Sequence, residues 1–427
     1  MNTDRWQAAL DASLAAEQQL VADGFGLYGE GMNGGINGSK WAEMFKQDNT
    51  FNPEAIYVFI FSTSTLNAKH NGWENSIRPK AQDGAGGVSA PVEMIDYFPM
   101  ADGSRPTAEN GYDREVFFKD RDPRFYRTFA FPGSAWAVKE GSPDIWNYAW
   151  FENAESDADE FSSPNRTADG NSGSSPAYVR KMSMDGAMSS AQFSTSGTDY
   201  MEYRFAELLF TIAECYAGVG DLSNCMQYLS RIRERAGLPQ GDNNYGLGAS
   251  FSTPNQAFEA CLYERAIELA YEGKRFYDIH RWMLYSDEPD DFGPNNTCAY
   301  LGVEPLNGTR RTGLYMIASP EGQAYYGTDD PLKDRRVELL DPDDASTFPA
   351  RMESLAEFYR NNQTYRLNIT AMDKNGSDAT VIDWKPKYYF LGLGSHAMQY
   401  NGEFLQQTMG WDDNDGNTKN STFNPLL

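Results

Sequence analysis

The chain has 427 residues, and its 61 Asp and Glu against 36 Lys and Arg give a formal net charge of −25. This charge argues against nucleic acid as a partner, because phosphate groups need a basic surface, and it disfavours docking on anionic lipid. A hydrophobic content of 40% argues against global disorder, and no apolar run reaches the roughly 18 residues that a membrane span needs.

The first half of the chain begins with a few predicted elements and continues as a long stretch without regular periodicity. Small apolar residues at helical spacing predict a helix over residues 4–22, and a short helix is predicted over 39–48. The run AIYVFIFS at residues 55–62 predicts a buried strand. Between residues 63 and 199, short apolar pieces alternate with turns rich in Gly, Pro, Asn and Ser. A stretch this long inside a compact domain is either functional or disordered, and its aromatic residues favour order.

The clearest candidate binding residues are aromatic and lie within this irregular stretch. Trp136, Trp146, Tyr148 and Trp150 occur close together, and the last three alternate, so an extended segment would present them on one face. Flat rings offered together to solvent suit the apolar faces of sugars. The alternative, equally consistent with the spacing, is that the rings pin an irregular loop to the core. Trp73, in another long loop, is a weaker candidate.

The most regular part of the chain is helical. Residues 205–216 and 222–236 predict an antiparallel helical hairpin of about the size of a tetratricopeptide unit, roughly 34 residues. Gly218 and Gly220 are expected to end the first helix, and Thr253 is expected to cap a third. One hairpin cannot bury its own apolar face. We therefore expect a mainly α fold: a tetratricopeptide-like helical-repeat scaffold with a large irregular, loop-rich region that contains short strands.

The C-terminal part is again poor in regular patterns. A helix is predicted over residues 350–361, followed by strands at 365–369 and 388–391. The Asn- and Asp-rich residues from 410 onwards look like a tail laid over a surface.

Charged residues are concentrated at the end of the third predicted helix, among apolar ones. The pattern comprises Glu264, Arg265, Glu268, Glu272, Arg275, Asp278 and Trp282. An enzyme could use Glu268 and Glu272 as a carboxylate pair, but an ion-pair lattice that fixes how the helix meets Trp282 is the favoured interpretation.

The histidines, serines and cysteines show neither a metal-binding nor a catalytic pattern. The 3 histidines are not paired at ligand spacing, so we expect no metal and no cofactor. There is no GxSxG motif. The 4 cysteines lack a CxxC spacing and are expected to be buried free thiols, although a Cys215–Cys225 bridge across the hairpin is possible.

Several motifs together resemble the SusD/RagB-like family of surface nutrient- and glycan-binding outer-membrane lipoproteins. EYRFAELLFTIAECYAGVGD and YLSRIRERAGLP are similar to two helices of that family, and ERAIELAYEGKRFYDIHRW is similar to its signature "ER--EL-FEG-R--DL-RW". The resemblance implies one SusD-like domain over residues 1–427. Its expected parts are a late repeat helix (1–30), a loop-rich ligand-binding region (50–199), a helical-repeat core (200–285) and a loop-rich C-terminal region with a closing tail (286–427).

The resemblance also implies a function. The expectation is non-catalytic binding of an oligosaccharide or related nutrient at the cell outer membrane, and its delivery to a SusC-like TonB-dependent transporter. In this family the loops outside the repeats bear the ligand site, which favours the residues from Trp136 to Trp150. A lipid anchor absent from this sequence would attach such a protein to the membrane, and the chain is expected to lack the family's N-terminal part. A helical-repeat interaction scaffold without a small ligand, or a glycoside hydrolase, are the alternatives.

Overall fold

The fold was obtained as a computed structural model and divides into two compact units. The structure describes residues 2–48, 50–64, 69–136, 144–170, 174–184, 190–289, 295–369, 372–375, 378–401, 404–412 and 421–425. The first unit comprises Met1–Ala257 and Arg311–Ala379, and the second comprises Phe258–Arg310 and Thr380–Leu427. Each unit therefore joins two separate stretches of chain. The single domain expected from the sequence stays a prediction.

Helix predominates over strand among these residues, as the mainly α class predicts. The helices are α1 (Thr3–Ala22), α2 (Ser39–Glu43), α3 (Trp73–Ile77), α4 (Val92–Tyr97), α5 (Pro123–Thr128), α6 (Ser190–Phe193), α7 (Phe205–Val219), α8 (Leu222–Ala236), α9 (Pro254–Glu268), α10 (Lys274–Arg281), α11 (Thr297–Leu301), α12 (Phe348–Asn362) and α13 (Ser395–Asn401). The strands are β1 (Ala55–Phe59), β2 (Phe129–Ala130), β3 (Ala149–Trp150), β4 (Arg166–Thr167), β5 (Tyr178–Val179), β6 (Tyr200–Arg204), β7 (Gly313–Ala318), β8 (Gln363–Asn368), β9 (Lys374–Asn375) and β10 (Asp378–Ala379).

Helices α7 and α8 form the predicted hairpin, and α1 packs along α7. Gly220 ends α7 in the left-handed conformation, with φ of 84°. Gly218, which was also expected to end the helix, lies inside it. A Cβ at this position would come within 2.3 Å of the Trp6 indole, so Gly218 allows α1 to approach closely. The Asp221 side chain caps α8 by accepting the Asn224 N–H at 3.1 Å.

A buried ion cluster fixes the hairpin to the start of β1. The Glu54 carboxylate pairs with the guanidinium groups of Arg204 and Arg235, and all three side chains are fully buried. Glu54 also accepts the backbone N–H of Tyr28 at 2.8 Å. Because each buried charge has a partner, the cluster satisfies the condition for keeping ions in a protein interior.

The irregular stretch from residue 63 to 199 contributes a dense aromatic core to the first unit. The Phe118 ring stacks on Phe131 at 4.9 Å and meets Tyr359 of α12 edge-on at 4.9 Å. Other buried rings of this cluster are Phe98, Phe117, Phe125 and Phe129. In the described part of this stretch the helices and strands are short, and these rings pack the segments that carry them against α12.

A four-stranded sheet lies in the same unit, in the order β4-β3-β7-β8. β3 and β7 are parallel, and the outer pairs are antiparallel. β8 confirms the strand predicted over 365–369, and α12 confirms the helix over 350–361. The strand predicted over 388–391 is wrong: a 3₁₀ turn begins at Pro386, whose fixed φ suits the first position of a helical turn. Much of the predicted tail, at 413–420 and 426–427, lies outside the described residues.

The acidic residues of the charged signature in the second unit are buried. Asp278 pairs with Arg265 at 2.9 Å and with Arg281 at 2.8 Å, and the Trp282 ring lies 4.9 Å from Phe258. The acidic side chains buried beside them are Glu264, Glu268 and Glu272. This geometry supports the ion-pair lattice rather than a solvent-facing carboxylate pair.

The cysteines are free and buried, as expected from their spacing. No bridge joins Cys215 to Cys225. Burial, reinforced by Glu214, raises the pKa of the Cys215 thiol to about 11, so this side chain is a neutral packing group near pH 7.

Candidate functional site

The four aromatic residues predicted as a solvent-facing platform are buried. Trp136 is 5% exposed, Trp146 2%, Tyr148 0% and Trp150 3%. The last three do form one row, since the Tyr148 ring lies 6.3 Å from Trp146 and 6.3 Å from Trp150. The expectation that these rings face solvent is therefore wrong. A role for them in ligand binding stays a prediction.

Polar contacts from distant residues lock this row in place. The Tyr148 hydroxyl donates to Asp330 at 2.7 Å and accepts from Arg336 at 3.1 Å, and Arg336 pairs with Asp330 at 2.7 Å. The Trp150 indole N–H donates to the Gly327 carbonyl at 3.0 Å. Burial, and then the hydrogen bond to Asp330, raise the pKa of Tyr148 well above its ordinary value. These contacts fit the alternative interpretation, in which the rings pin a loop to the core.

Trp73, the weaker candidate, is only partly buried. It begins α3, and its backbone N–H donates to the Asn71 side chain at 2.9 Å. Its indole N–H donates to the Lys181 carbonyl at 2.8 Å. The ring is thus held in one orientation while part of it remains accessible.

Three alternating aromatic residues of this region lie on β1 and its continuation, and two of them are exposed. We call Tyr57, Phe59 and Phe61 the aromatic strip. Tyr57 is 56% exposed and Phe59 38%, while Phe61 is partly buried. The prediction of a buried strand is wrong here, because β1 pairs with β6 in a two-stranded ribbon instead of entering the larger sheet.

The aromatic strip is held by its neighbours. The Tyr57 and Phe59 rings lie 5.5 Å apart at 63°. The Lys69 ammonium lies 5.2 Å from the Phe59 ring and 5.6 Å from the Phe61 ring, which are favourable cation–π distances. The Phe61 N–H donates to the Asp199 side chain at 3.0 Å. Rings supported by such neighbours can stack on a sugar at a smaller ordering cost than rings on a free loop.

One segment supports both the aromatic strip and Trp73. The Asn71 side chain donates to the Thr198 carbonyl at 2.8 Å, and its backbone N–H donates to the Ser196 carbonyl at 2.8 Å. Residues 196–199 therefore anchor the chain on both sides of this surface. Sequence reasoning missed the strip although the signal was present, since aromatic residues alternate at 57, 59 and 61.

Within the described part of the chain, no group of three or more His, Cys, Asp or Glu side chains could hold a metal ion. Among those residues, no helix is both long and apolar enough to cross a membrane.

Comparison with known proteins identifies the family to which this chain belongs. The model of the SusD family matches residues 42–411. The chain belongs to the SusD family. Its SusD-like relatives in Formosa agariphila include protein P2, 35% identical over 127 residues (30% of this chain, 24% of P2), and protein P25, 34% identical over 91 residues (21% of this chain, 16% of P25).

Solved structures show the same fold. A SusD-like protein from Bacteroides fragilis superposes with a TM-score of 0.56 at 18% identity, over 95% of this chain and 62% of that one. The chain spans less than two thirds of the length of these relatives. The mainly α, SusD-like fold class is confirmed.

Proposed function

We propose that this SusD-family chain binds an oligosaccharide or related nutrient without catalysis at the surface of the cell outer membrane. The bound glycan then passes to a SusC-like TonB-dependent transporter. The exposed aromatic strip carries the proposal, since it combines accessible rings with a rigid support in the region 50–199, where a SusD-like protein is expected to bind its ligand.

The chemistry of the aromatic strip suits sugars. The C–H face of a pyranose packs on an aromatic ring, while hydroxyl groups seek polar partners at the rim. Tyr57 brings a hydroxyl, and Lys69 brings an ammonium donor beside the rings. Trp73, which is partly accessible, follows Asn71, and residues 196–199 hold both Asn71 and Phe61 by hydrogen bonds.

The test removes the two most exposed rings of the aromatic strip. Tyr57→Ala combined with Phe59→Ala is expected to weaken retention on the cognate polysaccharide by about tenfold or more, since truncating an important binding aromatic costs about 2 kcal/mol. Affinity gel electrophoresis against a panel of neutral and acidic polysaccharides measures this retention. Undiminished retention of the double variant would remove the aromatic strip as the binding surface.

The chain offers a matched control. Phe276 and Tyr277 are 49% and 63% exposed, and their rings also lie 5.5 Å apart. Replacing both by alanine removes the same side-chain types from α10 and is expected to leave retention unchanged.

Two further measurements address catalysis and transport. Prolonged incubation with the retained glycan is expected to release no shorter product. Co-purification with a TonB-dependent transporter from the native membrane is expected, and a transporter that never accompanies the chain would contradict the delivery step.

A further inference from the structure

The second unit contains a cavity of about 480 Å³, which lies within the range of about 300–1,000 Å³ typical of small-molecule sites. Its lining combines one indole with charged and amide side chains: Glu288, Asn307, Asp383, Trp384, Lys385 and Lys387. None of the residues that line this cavity belongs to the aromatic strip or to the three family motifs quoted above.

The aromatic wall of the cavity is rigid. The Trp384 ring stacks on Tyr285 at 4.4 Å with an interplanar angle of 9°, and Tyr388 meets it edge-on at 5.4 Å. The Asn307 side chain donates to the Trp384 carbonyl at 3.0 Å and accepts the Trp384 N–H at 2.9 Å. One amide thus clamps both backbone groups of the residue that carries the indole.

The clamp is itself part of a larger frame. The backbone N–H of Asn307 donates to the Tyr285 carbonyl at 2.9 Å, and the Tyr285 N–H donates to the Tyr389 hydroxyl at 2.8 Å. Tyr285, Asn307 and Trp384 are therefore fixed relative to one another by hydrogen bonds. A wall held in this way needs little ordering when a ligand binds.

The cavity carries balanced charge in an otherwise acidic chain. We call its four charged side chains the rim: the carboxylates of Glu288 and Asp383 and the ammonium groups of Lys385 and Lys387. Asp383 and Lys385 pair with each other at 2.6 Å. The Lys387 ammonium lies 5.5 Å from the Tyr388 ring. Such a rim offers both acceptors and donors, with no excess of either sign to attract a strongly charged ligand.

We propose that this cavity binds a short neutral saccharide, with one sugar ring against Trp384 and its hydroxyl groups on the carboxylates and ammonium groups of the rim. An indole wall with a mixed polar rim matches the two kinds of surface that a sugar presents. The inference rests on the proposed function for the class of ligand. It adds a second site, on the second unit, that does not use the aromatic strip.

The experiment separates the two sites. Saturation-transfer difference NMR is recorded with the full chain and each of three neutral disaccharides, maltose, cellobiose and laminaribiose. The variant lacking the Tyr57 and Phe59 rings serves as background, so that the remaining signal reports on the cavity. Adding Trp384→Ala to this background is expected to weaken residual binding of the responding sugar at least about tenfold.

Trp384 is partly buried and stacked, so its loss could reduce binding through misfolding. A second variant controls for this. Glu288→Gln with Asp383→Asn changes two exposed carboxylates and is expected to weaken the same binding while the melting temperature stays within a few degrees.

Three results would overturn the inference. They are a signal that survives in both cavity variants, a signal already absent from the background variant, and no response of the wild type to any of the three sugars. The proposed function fails separately, when the wild type is retained by no polysaccharide of the panel.

Discussion

Replacing Trp146 by alanine is expected to destabilise the first unit, because this indole is a packing residue. Trp146 is 2% exposed, and its ring lies 5.4 Å from Phe358 and 5.3 Å from the Arg336 guanidinium. Gly133 also approaches it closely, since a Cβ added there would come within 3.1 Å of the indole. Neighbours packed this tightly have little freedom to collapse into the space that the truncation leaves.

The magnitude follows from burial. Truncating a buried Trp to Ala costs about 3–5 kcal/mol. In a large domain each kcal/mol lowers the melting temperature by about 2–4 °C, so we expect a fall of about 6–20 °C. Adding Trp150→Ala removes a second buried ring and its hydrogen bond to Gly327. The two losses are not expected to add fully, because the Tyr148 ring contacts both indoles.

Thermal unfolding followed by circular dichroism measures the effect, alongside polysaccharide retention of the same samples. Trp73→Ala is the control, since that ring is partly exposed and its loss should lower the melting temperature less. A Trp146 and Trp150 double variant that melts with the wild type but no longer binds glycan would refute this reasoning. It would show that the buried row opens to ligand.

Two further predictions concern the ion cluster and its neighbour. Glu54→Gln leaves the buried Arg204 and Arg235 without their carboxylate and is expected to cost about 3–5 kcal/mol in urea unfolding, whereas a loss below about 1 kcal/mol would contradict the role of the cluster. Burial, and then the hydrogen bond to Glu43, raise the pKa of Tyr28 to about 12, above the ordinary value of about 10. The folded state favours the neutral phenol, so its contribution is full below about pH 10 and is lost as the pH rises towards 12. Tyr28→Phe should lose less stability than the wild type across that window, and equal losses would contradict the assignment.

Local sequence signals were sufficient to predict helices α7 and α8. The apolar spacing of residues 205–216 and 222–236, with Asp221 between them, predicts α7 and α8 because helix periodicity and capping act within a few residues. The family motifs lie largely on these elements, so the resemblance could be recognised without a structure. The role of Gly218 could not be recognised in this way, because it depends on Trp6, which is distant in sequence.

The exposure of the candidate binding residues depends on partners that are distant in sequence. Alternation correctly placed Trp146, Tyr148 and Trp150 in one row, but their burial depends on residues such as Asp330 and Phe358, almost two hundred or more positions away. A continuous apolar run suggested that β1 is buried, although its exposure follows from pairing with β6 alone.

The sequence by itself thus determined helices α7 and α8, the end of α7 at Gly220 and the family. Only the tertiary structure decided which aromatic rings face solvent and which are closed into the core. The physical reason is that the spacing of aromatic residues is a property of their own segment. The exposure of each ring depends instead on which distant segments pack against it.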